Sequence, residues 1–272
     1  MPEPSLLILI PAYNEEARIE PVLRDYAAFF QKNYSGKFRL FVVLNGCTDG
    51  TLGVVKKVAA DFPEVHALEF RRAIGKGGAL IEGLRLASLG DLIGYVDADG
   101  ATPPRAFLDL VKKIGAADCV IGSRWLPGAI IHQSQASHRQ FASRVFHFIV
   151  QLLFWLNIRD TQCGAKVMKR AVIEKIHEKL LIADMAFDIN LLVAIKRAGF
   201  KILEVPTEWT DKADSKVALV RVSLTMFLSV IRVRLIYWPW IYKLLRPLSP
   251  LEGWIYKKLR APKPLSGSKK QN

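Results

Sequence analysis

Short apolar runs alternate with helical stretches through the first half of the chain. Residues 6–10 are continuously apolar and stop at Pro11-Ala12-Tyr13-Asn14-Glu15-Glu16, and a helix follows over roughly residues 16–31. Residues 38–44 form a second run, stopped by Asn45-Gly46-Cys47-Thr48-Asp49-Gly50, with a helix over 51–61. A third run, 65–70, ends at Arg71-Arg72, and the helix after it opens near Gly75-Lys76-Gly77-Gly78. The fourth, 92–96, ends abruptly in Asp97-Ala98-Asp99-Gly100; a helix starts near Pro104, and 119–122 is a fifth run. Apolar runs of strand length separated by helical segments predict βαβ units and a mostly parallel sheet flanked by helices.

The second half reads less regularly. A long helix is expected over 137–156, a short strand over 165–168, and a helix opening at 185–192 that is apolar apart from Asp188 and Asn190. Residues 203–206 read as a strand and 208–216 as a polar loop. Residues 219–245 then interleave Arg221, Arg232, Arg234 and Lys243 with aliphatic residues, Tyr237, Trp238, Trp240 and Tyr242. That mixture belongs to helices lying in a bilayer interface. After Glu252 no acid remains while lysines accumulate, so anionic headgroups would attract the tail. The competing reading is an ordinary buried helix followed by a basic tail. The expected organisation is a main α/β domain over 1–217, interfacial helices over 218–256 and a disordered basic tail over 257–272.

Charge sharpens this picture. Thirty-nine Lys and Arg against 25 Asp and Glu give +14, which favours an anionic partner: nucleic acid, an anionic membrane surface or a phosphorylated substrate. The aromatics sit mainly in apolar helical runs rather than alternating with basic residues, which argues against nucleic acid. Cys47, Cys119 and Cys163 lie far apart without metal-ligand spacing and read as reduced thiols of a cytosolic compartment. No basic leader precedes the first strand, and the apolar stretches 145–158 and 222–231 are bracketed by arginines. Both are short for a membrane span and fit interfacial or buried helices.

The candidate chemistry lies where the strands stop. Asn14 and Glu15, Asn45 and Asp49, Arg71 and Arg72, and Asp97 and Asp99 all follow successive strands, the edge where open α/β sheets bind ligands. Asp97 and Asp99, two apart at a strand end, point the same way; such a pair suits Mg²⁺ or Mn²⁺ shared with substrate phosphates, or else is a solvated turn. Gly75-Lys76-Gly77-Gly78 offers backbone N–H groups to a phosphate at a helix start, but has neither Walker nor GxGxxG spacing. Arg139 and Ser143, four apart, share a helix face and suit a phosphate oxygen. Asp188 near a helix start is a candidate acid or simply a dipole partner.

ILIPAYNEE, NGCTDGT, GKGGAL, VDADGA, GSRW, DTQCGAKVMKR and AFDINLL follow one another in the order found in inverting glycosyltransferases of family two. The chain resembles the polyprenyl-phosphate sugar transferases of that family, especially the dolichyl-phosphate glucosyltransferase type, which shares DADGAT and a late Trp209 followed by Ser215-Lys216-Val217. The resemblance covers residues 5 to 217 and implies a GT-A fold. It places Pro11, Tyr13, Asn14, Glu15, Asn45, Lys76 and Asp97 at the nucleotide sugar, and Asp97 and Asp99 on Mg²⁺ or Mn²⁺. Arg124, Arg139 and Ser143 would hold donor or acceptor phosphates, and Asp188 stands where related enzymes carry a base for hydroxyl acceptors. Leu44-Asn45 replaces the two acids the family often has before the glycine of the second turn, so Asn45 can offer only a hydrogen bond. Mannose synthases of the same type usually carry glutamine where this chain has Ala101.

The resemblance implies transfer of a sugar, most simply glucose from UDP-glucose, to a polyprenyl or dolichyl phosphate. The enzyme would act at the cytoplasmic face of a membrane, as a peripheral or monotopic protein. A GDP-mannose donor and a hydroxyl acceptor are the alternatives within the class; a non-catalytic membrane-binding module and a nucleotidyltransferase are those outside it. A nucleotidyltransferase normally carries its glycine-rich loop in the first strand–helix turn, where this chain reads PAYNEE. No oligomeric state is marked.

Overall fold

The structure, a computed structural model, describes residues 3–133, 137–210 and 219–237, without the side chains of 133, 137–143, 145 and 219–225. The chain divides into two units, Met1–Ser215 and Lys216–Asn272, which are described separately. In the first unit β1 (Leu6–Ala12), α1 (Ile19–Asn33), β2 (Phe38–Asn45), α2 (Thr51–Asp61), β3 (Val65–Phe70), α3 (Lys76–Leu84) and β4 (Leu92–Tyr95) follow in order. Then come α4 (Pro104–Lys112), β5 (Cys119–Ser123), β6 (Ile130–Gln133), α5 (Ser137–Phe154), β7 (Lys166–Lys169), α6 (Arg170–Ile176), α7 (Phe187–Arg197), β8 (Ile202–Pro206) and β9 (Glu208–Thr210).

Seven strands form one sheet in the order β3-β2-β1-β4-β7-β5-β8. β7 runs antiparallel to both β4 and β5, and every other pair is parallel. β1 is central, and Leu6 to Ile10 are all buried; a strand covered on both faces must be apolar at every position rather than alternating. α1 buries Ile19, Val22, Leu23, Tyr26, Ala27 and Phe30, a helical stripe packed on the sheet, and the Tyr26 hydroxyl donates to the Thr102 carbonyl at 2.8 Å. Parallel order across β3-β2-β1-β4 brings the C-terminal ends of these strands to one edge. The order reverses between β1 and β4, which is where open sheets leave a crevice.

The expectation of a polar loop over 208–216 is corrected in part. Glu208–Thr210 form β9, which pairs in parallel with β6 as a separate two-stranded sheet. Neither strand is long enough to show a period, and their pairing is non-local, so the pattern alone did not mark them. Cys119 and Cys163 are buried and Cys47 is partly so, all three as free thiols; burial pushes Cys163 up to about 11 and Cys119 up to about 12.

The second unit contains α8 (Leu219–Ile236). Among the described residues no helix is long and apolar enough to cross a membrane. Trp238, Trp240, Tyr242, the basic tail over 257–272 and Ser215-Lys216-Val217 lie outside the described residues.

Candidate active site

The first two strand ends form a platform. In the β1–β2 pair Ala12 stands opposite Leu44, so the loops that follow emerge side by side. Asn14 takes φ 55°, a left-handed conformation its short polar side chain tolerates. Its Oδ1 accepts the Thr48 N–H at 2.8 Å while its Nδ2 donates to Thr48 Oγ1 at 3.3 Å. The Glu15 N–H donates to Thr51 Oγ1 and the Gly50 N–H to Glu16 Oε2, both at 2.9 Å. The PAYNEE and NGCTDGT motifs therefore hold each other in place. Pro11 lies within β1 opposite Val43, and the Tyr13 ring is half exposed beyond the strand end. Arg18 grips the Glu15 carboxylate with Nε at 2.8 Å and Nη2 at 2.9 Å. Burial, with the charges of Asp99 and Asp49, nevertheless raises the Glu15 pKa. Asn45, buried at the end of β2, accepts the N–H groups of Ile74 at 2.6 Å and Gly75 at 3.1 Å, and so shapes the loop into α3.

Beside this platform β4 delivers the two acids. Gly100 adopts φ 68°, as a turn ending the strand requires, and Asp99 Oδ1 accepts the Ala101 N–H at 2.9 Å. Lys76, the first residue of α3, places Nζ 2.5 Å from Asp97 Oδ1. Burial raises the Asp99 pKa and the charge of Asp97 raises it further. Burial alone would depress Lys76, but Asp97, Asp188 and Asp99 together hold it well above the ordinary lysine value. Two hard oxygen donors whose mutual repulsion Lys76 offsets only in part fit a divalent cation. Among the described residues no group of three or more His, Cys, Asp or Glu side chains is arranged to hold a metal. Phosphate oxygens or waters would have to complete the shell.

Behind the acids lies a buried charge pair. Antiparallel pairing of β4 with β7 sets Lys166 opposite Tyr95. Lys166 is fully buried; its Nζ donates to the Cys163 carbonyl at 2.7 Å and lies 2.5 Å from Asp188 Oδ1, to which the Tyr95 hydroxyl also donates. Asp188 is only 3% exposed. Burial pushes its pKa up, but Lys166, Lys76 and the two hydrogen bonds outweigh it and the net shift is downward.

On the far side Arg124, directly after β5, makes a two-pronged bond to Asp160, with Nε to Oδ2 at 2.7 Å and Nη2 to Oδ1 at 2.9 Å. Its guanidinium carbon lies 5.0 Å from the centroid of the Trp209 ring. The Asp160 and Arg159 N–H groups in turn donate to the Glu204 carboxylate at 2.7 and 2.9 Å. The Thr210 N–H bonds the Ala101 carbonyl at 2.9 Å, so β9 is tied to the turn that carries Asp99. Arg139 and Ser143 belong to α5, but their side chains lie outside the described residues.

The family model for glycosyl transferase family 2 matches residues 7–177. The chain belongs to glycosyl transferase family 2. Glycosyltransferase AglD of Haloferax volcanii is 32% identical over 83% of this chain, which spans only 36% of that relative's length. The dolichyl-phosphate beta-glucosyltransferase of Dictyostelium discoideum is 31% identical over 88% of this chain and 76% of its own. Among solved structures, Mycobacterium tuberculosis glucosyl-3-phosphoglycerate synthase in complex with Mn²⁺, UDP and glucosyl-3-phosphoglycerate has a TM-score of 0.63. It is 18% identical, with 85% of this chain and 80% of that one covered. The fold is that of the GT-A glycosyltransferases.

Residue-level reading of this glycosyltransferase missed the buried pair. Tyr95 was one more apolar position in the fourth run, and Lys166 one letter of a motif. The signal available was Lys166 itself, a charge inside a strand otherwise reading Val167-Met168, which can be buried only with an anionic partner. Asp160 and Glu204 were missed likewise, because their partners lie far off in sequence.

Proposed function

We propose that this family 2 glycosyltransferase moves glucose from UDP-glucose to a polyprenyl or dolichyl phosphate, inverting the anomeric carbon in one displacement. Residues 1–217 would be the catalytic domain, residues 218–256 interfacial helices and residues 257–272 a basic tail. The place of action is the cytoplasmic surface of a membrane. Support for the acceptor comes from relatives whose names carry dolichyl phosphate and which this chain matches over most of its length.

In this reading Pro11, Tyr13, Asn14 and Glu15 border the nucleotide, with Asn14 and Asn45 holding the loops that shape its site. Asp97 and Asp99 would hold Mg²⁺ or Mn²⁺, which offsets the charge appearing on the departing diphosphate. Lys76 and Arg124 supply further positive charge beside the same phosphates. Arg139 and Ser143 are assigned to the acceptor phosphate.

The observation that carries the choice of acceptor is the state of Asp188. A base serving a hydroxyl acceptor needs access to the proton it removes and a pKa near the working pH. Asp188 is sealed by Lys166 and Tyr95, and its pKa is lowered. A phosphate monoester has its second pKa at about 6, so it is largely ionised at neutral pH and attacks without a base. Asp188 then serves as the buried counter-charge that anchors Lys166 in the core and adds negative potential around Lys76. Ala101, where mannose synthases usually carry glutamine, supports glucose over mannose.

The test incubates purified full-length protein with Mn²⁺ or Mg²⁺, a polyprenyl phosphate and radiolabelled UDP-glucose or GDP-mannose. Label from UDP-glucose should pass into the organic phase. Folded protein that moves label from neither donor would overturn the reading.

A further inference from the structure

A short stretch of chain joins the two sides of the site. The Thr207 N–H donates to the Ser123 carbonyl at 3.1 Å, directly before Arg124. The Thr210 N–H donates to the Ala101 carbonyl at 2.9 Å, directly beyond Asp99 and Gly100. Trp209 lies between these two bonds, in β9. Its neighbour Glu208, on the opposite face of the strand, accepts Arg105 Nε at 2.5 Å and lies 2.6 Å from His132 Nε2, which ties the same stretch to α4 and β6.

Arg124 is held from two directions. Its fork to Asp160 uses Nε and one N–H of Nη2, and Asp160 Oδ2 also accepts the Arg124 backbone N–H at 3.0 Å. A guanidinium has five N–H donors, so the edge formed by Nη1 and the second Nη2 N–H is left for another partner. Two oxygens of a phosphate match such an edge. A fork alone lets the guanidinium plane tilt about the line through its two bonds. The Trp209 ring, its centroid 5.0 Å from the guanidinium carbon, opposes that tilt and attracts the cation through its face. Burial works against the Arg124 charge, but Asp160 outweighs it, with Cys163 and Asp97 acting in the same direction. The guanidinium thus lies within the field of an acid assigned to the metal.

We propose that Trp209 is a positioning residue: it acts through Arg124, aiming the open edge of the guanidinium at a substrate phosphate beside Asp97 and Asp99. The proposal rests on the assignment of Arg124 to phosphates above, but adds a residue that touches none of the reacting atoms. A tryptophan that merely fills space would support β9 whatever stands at position 124. A positioning tryptophan matters to phosphate binding only while Arg124 is there.

The experiment titrates full-length protein separately with UDP and Mn²⁺, with GDP and Mn²⁺, and with a soluble short-chain isoprenyl phosphate. Each offers a phosphate to the same edge, and the one that responds identifies which phosphate Arg124 holds. Wild type, Trp209→Leu, Arg124→Lys and the double variant make a cycle. Trp209→Leu should weaken binding about two- to thirtyfold, the range of one cation–π contact. Arg124→Lys should weaken it as well, because an ammonium has no planar fork. On that background Trp209→Leu should change affinity by less than about twofold. Trp209→Phe should recover most of the loss by restoring a ring face. Melting curves accompany every variant, and Trp209→Met takes the place of Trp209→Leu if leucine prevents folding.

Equal losses from Trp209→Leu with and without Arg124 would overturn the proposal, as would a Trp209→Phe variant that binds as weakly as Trp209→Leu. So would an Arg124→Lys variant that binds all three ligands like wild type, or folded wild type that binds none of them. These titrations involve no glucose and no transfer. Failure of label to reach a lipid and failure of this coupling are therefore separate results.

Discussion

Lys76 Nζ and Asp97 Oδ1 stand 2.5 Å apart, joining the start of α3 to the end of β4 across the mouth of the crevice. The ammonium occupies one oxygen of a carboxylate assigned to the metal. Removing it should therefore have opposite effects on two measurements. In Lys76→Met, Asp97 and Asp99 lose a competing cation, so divalent-ion affinity without donor should rise in a calorimetric titration. Transfer should fall about 10²–10³-fold, as for loss of one preorganised charge-stabilising donor. A rise in metal affinity with undiminished kcat would remove Lys76 from the chemistry.

Asp99 is destabilised as an anion, first by burial and then by Asp97. A carboxylate must be ionised to bind metal, and its raised pKa means protonation begins at a higher pH than for an ordinary aspartate. Metal affinity should accordingly decline on acidification before free aspartates titrate. Asp99→Asn should lose most transfer, yet the metal-free variant should melt no lower than wild type, since a repelled buried charge has been neutralised. Melting curves in a chelator alongside activity assays provide the check.

The Lys166–Asp188 pair predicts a different pattern. Asp188→Asn leaves Lys166 charged and buried, which costs about 3–5 kcal/mol. Lys166→Met/Asp188→Asn removes that uncompensated charge and should recover much of the loss in urea denaturation. For the folded single variant, turnover on a lipid phosphate should stay within about tenfold of wild type, because loss of a true general base costs about 10²–10⁴. A larger deficit, together with a lost acidic limb in the pH–rate profile, would restore Asp188 as a base.

Sequence reading reached the parallel half of the sheet and the edge where its polar turns gather, because each of those strands is a self-contained apolar run closed by its own polar turn. Asp97 and Asp99 were legible because two adjacent acids at a strand end need a physical reason. Tyr95, Lys166, Asp160 and Trp209 were not read from pattern, because their partners arrive by antiparallel or non-local pairing. Asn14 and Asn45 were legible as polar cluster members, but their bonds to Thr48 and to the N–H groups of Ile74 and Gly75 appear only in three dimensions.

Asp160 should contribute to acid sensitivity. Burial raises its pKa, but Arg124 outweighs burial and the folded value lies below the ordinary one. A carboxyl depressed on folding stabilises the native state above its unfolded pKa of about 3.9 and loses that contribution as pH falls through the lower folded value. Asp160→Asn should thus cost about 3–5 kcal/mol near neutrality by leaving Arg124 buried and unpaired. The gap from wild type should narrow below about pH 4, where wild type begins to lose the same contribution. Denaturation midpoints across that range would show whether the gap closes.

Gly77 separates two uses of a glycine-rich helix start. An added Cβ would meet the Ile182 carbonyl oxygen at 2.5 Å, the Asp184 carbonyl oxygen at 2.7 Å and Phe187 Cβ at 2.7 Å, and the neighbouring Gly78 N–H already donates to the Ala183 carbonyl at 3.0 Å. The glycine is thus required for close packing of α3 against the segment leading into α7, whatever phosphate lies beyond. Gly77→Ala should cost about 1–3 kcal/mol by overpacking. Phe187 adjoins Asp188, so the same displacement should loosen the anchor of Lys166, which lies outside the chemical step, and kcat of the folded variant should stay within about tenfold of wild type. If Gly77→Ala instead raised only the KM for the donor at unchanged stability, the residue would belong to the phosphate site rather than to this packing contact.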